Sequence, residues 1–110
     1  MYYFVIQLFK EEFLDDIMLA LTTAGIDNGT VVDGVNMDNM MNQRIPLFAG
    51  LIPNGDQRSR YCKVISSVVP DKEKVKAFMQ SLDDADIDFE KEGLGRIILI
   101  PAEEVIQGRE

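Results

Sequence analysis

Histidine and tryptophan are absent from this sequence, cysteine occurs once, and 11 basic side chains face 19 acidic ones. Without histidine there is no histidine-dependent triad, no imidazole general base and no imidazole metal ligand. The single thiol, Cys62, excludes an internal disulfide and a zinc site assembled from several thiolates. A formal charge of −8 makes the chain a poor partner for a phosphate backbone, so no nucleic-acid binding is expected. The apolar run at Met1–Lys10 is strand-length, well short of the ~20 residues a membrane helix needs, and it lacks a basic leader and a small-residue cleavage site. A cytoplasmic protein with no membrane insertion is the expectation. Four prolines and eight glycines among 110 residues are too few for a disordered or fibrous chain. With 46% apolar residues, one domain spanning 1–110 around one core is expected.

The residues present divide into segments by their periodicity. Residues 2–9 alternate, with Phe4, Ile6 and Leu8 on one face and Tyr3, Val5 and Phe9 on the other, and both faces read as buried. From Glu11 to Ala24 the apolar residues Phe13, Leu14, Ile17, Met18 and Leu21 follow helical spacing, and Gly25 stands where a C-terminal cap belongs. Asn28-Gly29 is a turn, and with Thr30 it also spells a glycosylation sequon, a short match of little specificity. Residues 30–35 and 61–69 read as strands. Asp71 caps a helix whose stripe is Val75, Phe78, Met79 and Leu82, and residues 96–100 form a last strand. The order β-α-β-β-α-β predicts an α+β, ferredoxin-like chain: a four-stranded antiparallel sheet, two helices on one face and a long loop between strands 2 and 3.

Two segments stand outside that pattern. The 36–60 stretch is far longer than a hairpin needs. Within it, residues 45–53 are the most apolar stretch outside the core, and Leu47, Phe48 and Leu51 are expected either to contact a partner or to fold back onto the core. The other segment, 83–92, holds Asp83, Asp84, Asp86, Asp88, Glu90 and Glu92 against Lys91 alone, and reads as a solvated acidic helix end. Residues 33–44 fail the calcium-loop pattern at the glycine and at Arg44. Asp15 and Asp16 are helix neighbours that point apart. Cys62 reads as a small buried hydrophobe. No catalytic constellation and no metal site emerge, so the chain is expected not to be an enzyme.

Local matches in a fixed order then bear on family. They are Leu14-Asp15-Asp16, Gly25-Ile26 leading to Thr30-Val31, Val68-Val69-Pro70-Asp71, Gly93-Leu94-Gly95-Arg96-Ile97, and the tail from Pro101 to Ile106. Together these resemble the PII signal-transduction family across nearly the whole chain. The resemblance implies a cytoplasmic homotrimer in nitrogen regulation that binds an adenine nucleotide (ADP, AMP or ATP) between subunits. It also implies that the 36–60 segment, as a T-loop, is presented to a target protein. Carried over, Gly93, Gly95 and Arg96 would face phosphates, Thr30 would lie near the base, and Arg109 would reach across from a neighbouring subunit. The chain departs from the family where Asn36-Met37-Asp38-Asn39-Met40 replaces a Gly-Phe-Gly-Arg-Gln segment, and where Gln107 replaces an arginine. Those departures, with the acids at 83–92, favour a less charged nucleotide, a metal-bridged one or another ligand. The alternative is an ACT-like ferredoxin-fold sensor that dimerises and binds an amino acid.

Overall fold

The computed structural model describes residues 1–37 and 61–108. The interior of the predicted long loop, with Leu47, Phe48 and Leu51, and the terminal Arg109 lie outside the described residues. The elements are β1 (Tyr2–Leu8), α1 (Leu14–Thr23), β2 (Thr30–Val35), β3 (Tyr61–Val69), α2 (Lys72–Asp84) and β4 (Gly95–Pro101), with a single 3-10 turn, Glu11–Phe13, leading into α1. Together they make an α+β unit with one four-stranded antiparallel sheet, ordered β2-β3-β1-β4, an arrangement compatible with a ferredoxin-like fold.

Register decides which residues share a face. Phe4 lies between Ser67 and Leu99, and Ile6 between Ile65 and Ile97. Because side chains alternate along a strand, Phe4, Ile6 and Leu8 join Ile65, Val69, Ile97 and Leu99 on one side. That side meets Ile17, Ala20 and Leu21 of α1 and Phe78 and Leu82 of α2 in a single core. The Phe4 and Phe78 rings pack edge to face, with centroids 5.6 Å apart and planes at 71°.

The opposite side of the sheet differs from the sequence expectation. Tyr3 and Ile100 remain 44% and 48% exposed and Val5 is half-buried, so among the described residues β1 is buried on one face only. The two helix stripes need a similar correction: Met18 and Met79 stand largely at the surface, while Ala20 and Ala24 complete the buried row of α1. A long flexible methionine can satisfy a stripe in sequence and still sit at its margin.

Both helices stop in the same way. At α1, the Ile26 amide donates to the Leu21 carbonyl (2.8 Å) and the Gly25 amide to Thr22 (3.0 Å), with Gly25 at φ +81°. At α2, Ile87 donates to Leu82 (2.9 Å) and Asp86 to Asp83 (3.0 Å), but the left-handed position is held by Asp86 at φ +59°. Each is a Schellman motif, and only the first uses the residue that suits it best. At the other end of α2, the Asp71 carboxylate accepts from the Lys74 amide at 3.2 Å, as its N-cap position predicts.

Candidate functional site

Among the sequence-selected residues, Thr30 opens β2, one edge of the sheet, while Gly95 and Arg96 open β4, the other edge, and Gly93 lies in the turn just before it. Thr30 pairs with Ser66, which pairs in turn with Val5 on β1, and Arg96 pairs with Gln7, so by strand alternation Thr30 and Arg96 both project from the face that the helices leave open. Three strand spacings separate the two edges, or about 14 Å. One chain therefore does not bring Thr30 and the Gly93–Arg96 segment together.

The Thr30 half is a cavity of about 390 Å³. Its walls are Tyr3, Asn28, Thr30, Ser66, Ser67 and Val68, and residues 105–108 of the C-terminal tail line it as well. None of these lining residues is charged, and the hydroxyl and amide groups can both donate and accept. The Ser67 hydroxyl already donates to Asn28 Oδ1 at 2.7 Å. The tail is fixed at its start, where the Ala102 amide donates to the Met1 carbonyl at 2.9 Å, and it carries Ile106 with 87% of its surface exposed. Sequence reasoning found Thr30 but missed Tyr3, Asn28, Ser66 and Ser67. Two adjacent serines among the valines and isoleucine of β3 were a signal for Ser66 and Ser67 alone; Tyr3 and Asn28 carried none.

The β4 half is built differently. Asp88 caps a single turn by accepting from the Lys91 amide at 3.0 Å. The turn closes through Gly93 donating to Glu90 (3.1 Å) and Leu94 donating to Phe89 (3.2 Å), with Gly93 at φ +59°. This repeats the device that ends both helices. Two amides that a phosphate loop would aim outward are thus engaged inside the turn. Gly95 answers a separate requirement: at φ +152°, a Cβ there would lie 1.8 Å from the Gln7 carbonyl oxygen. Arg96 of this half is exposed, with its guanidinium 5.7 Å from the centre of the Phe9 ring. Lys10 donates to the Glu92 backbone carbonyl and ties β1 to the turn, while Glu92 Oε2 is buried without a hydrogen-bond partner among the described residues.

Lys63 pairs with Asp33, its register partner across β3 and β2, and that hydrogen bond holds the ammonium above its ordinary pKa. Cys62 is buried beside Gly34, whose added Cβ would meet the sulfur at 3.0 Å. Burial, and then the nearby Glu11 carboxylate, push its thiol pKa up, which suppresses the nucleophilic thiolate. No group of three or more metal-ligating side chains occurs among the described residues, and no described helix is long and apolar enough to cross a membrane. No protein-family model matches the chain, and no curated protein matches it.

Proposed function

We infer that the chain is a non-enzymatic, PII-like regulator that assembles as a homotrimer and holds a small effector between subunits. In this reading the 36–60 segment meets the target protein. One observation carries the proposal: Thr30 and Arg96 stand on opposite edges of one sheet and project from the same open face, which is otherwise largely apolar. A neighbouring copy that covers this face can set its β4 edge against the first chain's β2 edge. The uncharged cavity at Thr30 then takes the base and sugar, and Arg96 of the next copy grips the anionic part.

The amides spent inside the Gly93 turn and the acids beside it weigh against a triphosphate. Close like charges raise the cost of each added negative charge by on the order of 1 kcal/mol. AMP or ADP is the expected effector. Native mass spectrometry with AMP, ADP, ATP and cyclic AMP in turn tests this: the reading predicts a trimer that takes up one AMP or ADP per subunit. A mixing experiment tests the shared site. Thr30→Val and Arg96→Ala should each bind weakly alone, and mixed trimers should recover binding because some interfaces pair an intact Thr30 with an intact Arg96. If Arg96→Ala binds AMP as tightly as the parent chain, the placement of the anion is wrong.

A further inference from the structure

We propose that Asn28 is a self-modifying site, at which attack by the Gly29 backbone nitrogen deamidates the side chain and places a carboxylate on the wall of the uncharged cavity. Three observations converge there. Asn28 is exposed in the irregular segment between the α1 cap and β2, so its side chain is open to solvent. Gly29 follows it and has no Cβ to shield the attacking nitrogen. The Ser67 hydroxyl, itself on a buried residue, donates to Asn28 Oδ1 at 2.7 Å. That bond withdraws charge from the carboxamide carbon and faces the atom that becomes the oxyanion, so it stabilises the tetrahedral intermediate in the manner of an oxyanion-hole donor.

The steps balance without a redox partner. A solvent base removes the Gly29 amide proton, the nitrogen bonds to Cγ of Asn28, and the carbonyl electron pair moves onto Oδ1. Collapse of the intermediate breaks the Cγ–Nδ2 bond and releases ammonia, with a proton supplied by water, leaving a cyclic imide. Water then opens either imide carbonyl and yields aspartate or its β-linked isomer. Both products carry one more negative charge. The β-linked product also lengthens the main chain at Asn28, two residues before Thr30, where the pairing with Ser66 begins. If the cavity holds an anionic effector, as in the preceding subsection, the new charge lowers its affinity, and the reaction works as a slow, one-way attenuator.

The test incubates the full chain in mildly alkaline buffer and follows each Asn-Gly pair by peptide mapping. Asn54-Gly55 lies outside the described residues and serves as the internal reference. Ser67→Ala should slow conversion at Asn28 roughly fivefold, the rate equivalent of one lost hydrogen bond, and leave Asn54 unchanged, while Ser67→Thr keeps the parent rate. An Asn28 that stays amidated while Asn54 converts, or a Ser67→Ala chain that converts at the parent rate or faster, overturns the proposal. For the consequence, Asn28→Asp should bind AMP roughly tenfold more weakly while keeping the parent's oligomeric state. Unchanged AMP affinity overturns the attenuator role. If the parent chain binds no AMP, the effector reading fails, and the conversion measurements still decide the chemistry at Asn28.

Discussion

The two faces of the sheet are made from the same four strands and behave differently. On the helix side, Phe4, Ile6 and Leu8 are essentially closed to solvent against Phe78, Leu82 and Ile17. On the open side, Tyr3, Val5, Val64, Val68, Ile98 and Ile100 are nearly as apolar yet remain half-buried or exposed. The first face accounts for why a single chain folds. The second is apolar surface that the described residues leave uncovered, the kind of surface that the proposed assembly would bury. The comparison teaches where to separate the core from a candidate interface: residues one position apart on β1 meet different surroundings.

The sharpest way to break that comparison is at Gly95 and Ile6. Gly95→Ala drives a Cβ into the Gln7 carbonyl and should prevent β4 from pairing, giving a chain that fails to fold, seen as loss of the cooperative denaturant transition. Ile6→Ala should lower the unfolding free energy by about 3–4 kcal/mol, whereas Ile98→Ala, on the open face, should change it by less than about 1 kcal/mol in the dissociated chain. Equal losses at both positions would mean that the open face is packed within one chain. Val5→Asp should leave the monomer's stability within about 1 kcal/mol and abolish association, read by sedimentation.

Smaller effects refine the account. Gly93→Ala meets no atom within 4 Å and should lower stability only through its left-handed backbone, by about 1 kcal/mol. Asp86→Gly relieves the same strain at the end of α2 and should raise stability by several tenths to about 1 kcal/mol. The alkaline limb tests the Cys62 environment. A thiol whose folded pKa is raised binds its proton more tightly in the folded chain, so its contribution is present below the ordinary thiol value of 9.0 and is lost as pH rises through the folded pKa. Cys62→Ala should flatten the fall in melting temperature above that pH.

The course of the backbone was largely legible in the sequence because its signals are local. Periodicity placed β2 and β3 at their observed bounds, Gly25 and Asp71 marked the helix ends, and the β-α-β-β-α-β order implied an antiparallel sheet. The burial of β1 was misread because alternation between two apolar faces cannot say which one a second layer covers. The cavity was legible only at Thr30. Tyr3, Asn28 and Ser66 meet through pairing between β1, β2 and β3 and through a tail that doubles back, and no local pattern announces such contacts. Gly93 and Gly95 looked alike as letters, yet one closes a turn and the other yields space to a neighbouring strand.

The central claim is that copies of this chain cover the open face and complete the effector site between them. Sedimentation velocity on the purified chain, without added ligand, at micromolar concentration and again after Val5→Asp, tests it most directly. The account predicts a trimer that becomes a monomer on substitution. A parent chain that sediments as a monomer would contradict it, and a dimer stabilised by amino acids would replace it with the ACT-like sensor.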